Sequence, residues 1–202
     1  MKQKGKFLVM NTNEFEAWLD GLHVVRSISV IQNHHTWIPD YGTFARKADN
    51  HFGLLEAMER SHLERGFNQI AQNLTTFPDG TVAVCRPFDV IPAGIKGANT
   101  NGICIEHVGN FDAGHDVMTA EHADCIIRVN ALLCRKFDLT PNTDSIVYHH
   151  WYDLTTGKRV AEAPGTNTKT CPGTTFFGGN TVQACQANFI LKVMTALMAV
   201  PV

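Results

Sequence analysis

The chain has no surplus of charge of either sign. It carries 17 Lys and Arg against 19 Asp and Glu, a formal net charge of −2 with a pI near 6.5. No basic footprint points to nucleic acid or to an anionic membrane surface, so neither is an expected partner. Charged residues make up 18% and hydrophobic residues 44%, which excludes a disordered, self-repelling chain. Uninterrupted apolar runs are short of the roughly 18 residues of a membrane span; the longest candidate, Phe189 to Val202, is broken by Lys192 and ends beyond Pro201. The basic start, Met1 to Lys6, is followed only by the apolar run Phe7 to Met10 and then by polar Asn11-Thr-Asn-Glu. A secretory h-region needs about 7–15 apolar residues, so no Sec signal is expected. Cysteine is sparse too, with 6 in 202 residues, and a disulfide framework is not expected. Cys85, Cys104, Cys125, Cys134 and Cys185 read as small buried hydrophobes. Repeats, low-complexity tracts and Pro/Ser-rich linkers are absent.

What remains is material for a single domain, long enough to bury about 70% of its unfolded surface. Thr12-Asn13 before Glu14-Phe-Glu-Ala-Trp-Leu reads as a capped short helix. Ser27 to Gln32 reads as a strand running into His34-His35-Thr36. Phe52, Leu54, Leu55 and Met58 give helical spacing between about Asn50 and Glu64, and Gly66 stops it. Asn68 to Phe77, the turn Pro78-Asp79-Gly80 and Thr81 to Cys85 read as a hairpin. Gly102 to Val108 is a strand. Thr119 to Phe137 is the clearest helix, with Ile126, Val129, Leu132, Leu133 and Phe137 on one face and Thr119 as N-cap. Ser145 to Tyr148 is a strand ending in His149-His150, and Thr181 to about Ala199 is a final helix. Strands interleaved with helices give an α/β fold. The hairpin makes part of the sheet antiparallel, so the expectation is a mixed central β-sheet flanked by helices.

Two adjacent-His pairs stand at the C-terminal ends of predicted strands, where such sheets usually build their sites. Side chains alternate along a strand, so each pair offers one His to a shared site. The third element is Lys169-Thr-Cys171-Pro-Gly, in a loop rich in Gly, Thr and Asn. The separations are far too long for a zinc finger, so only the fold can bring these groups together. A His/His/Cys set with a fourth position open to water is the pattern of a catalytic zinc site. On spacing alone, a histidine at a strand end is more often held there by hydrogen bonds as plain structure. A cysteine hydrolase pairing Cys171 with His149 is a weaker reading, because Cys-Pro-Gly is a turn and not the helix N-terminus that usually activates a nucleophilic thiol.

The order strand–His-His-Thr, interior Asn-x-x-Gly-x-x-Ile-Glu strand, strand–His-His and Lys-x-Cys-Pro-Gly resembles the type 2 zinc N-acetylmuramoyl-L-alanine amidases. That family includes the phage lysozyme-type amidases and the peptidoglycan recognition proteins. The resemblance spans roughly Ser27 to Asn180. It implies one Zn2+ held by His34, His149 and Cys171, with His35 and His150 pointing away. It implies that Glu106 is the general base toward the water at the zinc and that Lys169 stabilises the oxyanion. The implied substrate is peptidoglycan or its muropeptides, cut at the amide between N-acetylmuramic acid and L-alanine. Trp37, Asn68 and Asn99 are the candidate groove residues. The sequence departs from the family in three places. Gly66-Phe67-Asn68 lacks the tyrosine hydroxyl of the Gly-Tyr-Asn/His element. Ile95 stands near a position where many members have histidine, and the stretch between His149 and Cys171 is longer than is common. Phe67 is the best support for the alternative, a peptidoglycan-binding module of the same fold that no longer cleaves. The absence of a Sec signal fits synthesis in the cytoplasm and action on the wall after lysis or holin-type release.

Overall fold

The computed structural model describes residues 1–46, 50–161, 165 and 167–199. Seven strands form one sheet: β1 (Lys2–Lys4), β2 (Phe7–Met10), β3 (Val30–His35), β4 (Leu74–Thr76), β5 (Val82–Val84), β6 (Gly102–His107) and β7 (Ile146–Tyr148). Their spatial order is β1-β2-β5-β4-β6-β3-β7. The β4–β6, β6–β3 and β3–β7 pairs are parallel, and the other three are antiparallel. The mixed sheet is the expected one. The hairpin around Pro78-Asp79-Gly80 is its β4–β5 pair, and the N-terminal β1–β2 hairpin was not anticipated.

The helices are α1 (Thr12–Asp20), α2 (Tyr41–Arg46), α3 (His51–Glu64), α4 (Ala120–Lys136), α5 (Val182–Ala184) and α6 (Leu191–Ala199). A π-helical segment, Cys185–Ile190, joins the last two. α1 is capped one residue earlier than expected. Asn11 Oδ1 accepts the Glu14 N–H at 2.9 Å, and Glu14 Oε2 accepts the Asn11 N–H at 3.0 Å, a reciprocal box that satisfies two otherwise orphaned donors. Thr119 caps α4 as expected, its Oγ1 accepting the His122 N–H at 3.2 Å.

The sheet separates two cores. On one face Ile31, Ile103 and Ile105 pack with Phe15, Ile126, Val129, Leu133, Phe176, Phe189 and Val193. On the other, Leu54, Leu55 and Met58 of α3 pack with Phe7, Val9, Ile70, Phe77, Ala83 and Val108. The C-terminal stretch Val182–Ala199 corrects one expectation. It is a described helical stretch long and apolar enough, by length and composition, to cross a membrane. Counting uninterrupted apolar residues from Phe189 missed it, because the helix begins earlier and tolerates the single charge of Lys192. Its inner residues Val182, Cys185, Phe189, Ile190 and Val193 are buried on the core. Residues 200–202 of the apolar run lie outside the described residues.

The core facing α4 contains a continuous polar chain. Asn33 and Asn130 exchange two amide hydrogen bonds of 3.0 Å. His107 Nε2 lies 3.0 Å from Asn33 Oδ1, which can only accept, so His107 is the donor there. Its Nδ1 then accepts from the Thr76 hydroxyl at 2.8 Å. Thr76 Oγ1 in turn accepts from His122 Nε2 at 2.7 Å, and the Tyr41 hydroxyl donates to His122 Nδ1 at 2.8 Å. Every donor has a stated direction, so the buried groups are satisfied without a charge. Asn130→Ala breaks this chain and leaves the Asn33 Nδ2 donor unpaired. Urea unfolding should show a loss of about 1–3 kcal/mol, against less than about 0.5 kcal/mol for Gln186→Ala on the surface.

Candidate metal centre and cleft

The pairing of β3 with β6 sets His34 opposite Glu106, and both side chains face the side of the sheet that carries α3. β7 pairs with β3 as far as Tyr148, after which the chain turns into the 3-10 helix His149–Trp151. That turn brings His149 over the end of β3. The two rings meet edge to face, with centroids 4.8 Å apart and Nδ1 atoms 3.1 Å apart. Cys171 arrives on the long loop. Its carbonyl accepts the His150 N–H at 2.8 Å, and Thr170 Oγ1 donates to Asp112 at 2.9 Å. Gly173 follows because nothing larger fits: at φ +120 a Cβ there would sit 2.4 Å from the Phe111 carbonyl oxygen.

Among the described residues, His34, His149 and Cys171 form the group whose ligand atoms all lie within 4.8 Å of one another, and all three are buried. Two imidazoles and a thiol are donors that suit zinc. The other nitrogen of His34 lies 3.5 Å from Gln32 Oε1. Burial lowers the pKa of His34 well below its usual value and that of His149 to about 3, so both rings are neutral and offer lone pairs. Burial pushes the Cys171 thiol far up. A thiol held protonated is the opposite of an activated nucleophile, whereas a cation beside it would favour the thiolate.

Glu106 lies at the same place, Oε1 3.9 Å from His34 Nδ1, with one-fifth (21%) of its side chain exposed. Burial raises its pKa to about 8, opposed by the nearby charges of Lys169 and Arg65. Lys169 is an exposed side chain whose charge also acts on His34, His149 and Cys171. His150 Nδ1 donates to the Lys169 carbonyl at 2.6 Å, which ties the lysine's backbone to the helix carrying His149. His35 turns to the other face, where its Nδ1 accepts the Phe111 N–H at 3.1 Å.

These groups form the floor of a cleft of about 810 Å³ that runs toward α3 and is also lined by Trp37, Ile38, Met58, His62, Arg65 and Phe67. Trp37 is 57% and Ile38 65% exposed at its rim. Trp37 has a left-handed backbone, φ 60, a conformation unusual for a bulky residue. Asn68 and Asn99 do not line the cleft. Asn68 is exposed, and Asn99 Oδ1 accepts the Gly94 N–H at 3.0 Å, so its polar group serves the loop. Arg65, His62 and Ile38 escaped the sequence reading, because a helix C-terminus and a turn carry no motif. Arg65 stands 5.4 Å over the Phe67 ring.

A sequence profile of the N-acetylmuramoyl-L-alanine amidases matches residues 25–174. No curated protein matches. Among solved structures, Drosophila PGRP-LB is similar with a TM-score of 0.57 at 20% identity, over 81% of this chain and 82% of that one. The endolysin amidase LysCS of Clostridium intestinale is similar with a TM-score of 0.52 at 20% identity, over 77% and 78%. Bumblebee PGRP-SA gives 0.54 at 15% identity, over 80% and 82%. At these identities the structures show a common fold.

The buried histidines set a pH dependence. The folded chain holds His35 at about 4, and His149 and His122 at about 3, whereas an unfolded histidine titrates near about 6.5. Folding then releases protons, so this part of the stability is full above about pH 6.5 and is lost as pH falls toward 3. Glu106, raised to about 8, runs the other way: its contribution fades as pH rises from about 4.5 to 8. Thermal melts with chelator present should drop steeply between pH 6.5 and 4. A flat melting temperature over that range contradicts neutral buried imidazoles.

Proposed function

The chain belongs to the N-acetylmuramoyl-L-alanine amidase family, and from that premise we propose that it is a zinc-dependent hydrolase of the amide between N-acetylmuramic acid and the L-alanine of peptidoglycan. The observation that carries the reading is the convergence of His34, His149 and Cys171 within 4.8 Å at the floor of the cleft, beside Glu106. When bound there, zinc supplies a Lewis acid and lowers the pKa of a coordinated water toward about 7. Glu106 takes the proton of the attacking water and returns it to the leaving amine. For this it must be ionised, and a dication beside it would bring its pKa down from about 8. Lys169 holds the negative charge that develops on the carbonyl oxygen. Trp37 and Ile38 give the cleft an apolar rim against which a sugar or peptide can pack. The substrate reaches the protein after lysis or holin-type release.

The test is digestion of purified peptidoglycan with and without EDTA, followed by mass spectrometry. Stem peptides with a new N-terminal alanine should appear, and EDTA should abolish them. Products cut only in the glycan or only in the peptide cross-bridges would refute the reaction. Glu106→Gln should retain zinc and lose about 10²–10⁴ in kcat. Lys169→Met should lose about 10²–10³ in kcat, with a smaller change in KM. In the wild type the acid limb of kcat/KM should follow Glu106, rising with pH as it ionises. One observation favours a second reading: Phe67 lines the cleft without a hydroxyl, as in a module that binds muropeptides and does not cut them. Binding with no turnover in the zinc-loaded protein would decide for that reading.

A further inference from the structure

Gln32 precedes His34 by two residues in β3, on the same side of the sheet, and has no exposed surface. Its Oε1 accepts the Ile95 N–H at 2.9 Å. Its Nε2 donates to the Ala98 carbonyl at 2.8 Å and to Asn99 Oδ1 at 3.3 Å. A backbone N–H only donates and a carbonyl only accepts, so these partners fix which end of the amide is oxygen. Two glycines clasp it. A Cβ on Gly94 would sit 2.2 Å from Gln32 Oε1, and a Cβ on Gly102 would sit 2.4 Å from Gln32 Nε2. The amide can neither flip nor withdraw. Oε1 is left facing His34 Nε2 at 3.5 Å. The opposite nitrogen, Nδ1, faces His149 Nδ1 at 3.1 Å and Glu106 Oε1 at 3.9 Å.

We propose that Gln32 is a positioning residue that fixes the tautomer of His34: its oxygen keeps the ring proton on Nε2, so the Nδ1 lone pair is always turned toward His149. A neutral imidazole has one N–H, and the group that accepts it decides which nitrogen is free. The role as a metal-site device rests on the zinc reading above. Oxygen partners of ligating histidines typically tune metal affinity by about 10–100-fold.

Ring ¹⁵N correlation spectra of the metal-free wild type read the tautomer directly. His34 should carry its proton on Nε2, and a proton on Nδ1 overturns the proposal. Zinc affinity, measured by competition with a chromogenic chelator, gives a second readout. Gln32→Met should weaken binding by about 10–100-fold and populate the Nδ1–H form. Gln32→Glu keeps an acceptor oxygen and should hold or exceed the wild-type affinity. Equal losses in both variants overturn the proposal, because they would follow the lost amide donor to the Ala98 loop and not the acceptor at His34. If Gln32→Met does not fold, the tautomer in the wild type and in Gln32→Glu decides. A wild type that binds no zinc refutes the functional reading alone, while the metal-free spectra still decide this one.

Discussion

The parallel register of β3 on β6 is the constraint from which the rest of the molecule follows. It pairs His34 with Glu106 and His35 with His107, so a single alignment sends one row into the cleft and the next into the core. A slip of one residue would exchange the two rows. Such a slip of β6 would turn the Glu106 carboxylate away from the cleft and His107 out of the polar chain that faces α4. The polar chain from Asn130 to Tyr41 guards against this, because Asn33 and His107 can complete it only in the observed alignment. Stability on one face of the sheet and geometry on the other are two results of the same pairing.

The cleft is electrostatically unusual. Its innermost ring of donors is neutral in the absence of an ion: two imidazoles with their pKa values depressed and a thiol and a carboxyl with theirs raised, all by burial. Each of these shifts favours the form that carries no charge. A single dication reverses the preference for the thiol and the carboxyl at once, since both gain from ionising beside it. The burial that looks costly for four polar groups would strengthen their hold on a cation. Lys169, exposed and tied through its backbone to His150, adds positive charge to the cleft lining from the loop side.

That one His of each pair could meet Cys171 was legible from strand alternation and the Cys-Pro-Gly turn, whereas the choice of His34 and His149 and the place of Glu106 came from the family resemblance. The mixed sheet was legible from the Pro78-Asp79-Gly80 hairpin set among helical stretches. The β1–β2 hairpin was not, since three and four residues are too few for periodicity to show. Neither was α2, only six residues long, although Asp40 caps it by accepting the Thr43 N–H at 2.7 Å. Asn99 reads as a ligand contact in sequence, but a polar side chain in a loop is as often spent on that loop's own backbone. Gln32 and the Asn33–Asn130 pair were invisible for a different reason. Their significance lies in partners far along the chain, and a buried amide in a strand has no spacing that announces it.

The outer edge of the sheet carries one more consequence. β1 is the sequence Lys2-Gln3-Lys4, fully exposed, and beside it Lys4 pairs with Glu56 and Lys6 with Glu59 of α3. An incoming extended chain seeking to lengthen the sheet there would meet ammonium groups already anchored to a helix, at a margin only three residues long. Exposed sheet margins invite self-association, and lysines are a common safeguard against it. A margin closed in this way disfavours edge-to-edge pairing between copies of this chain.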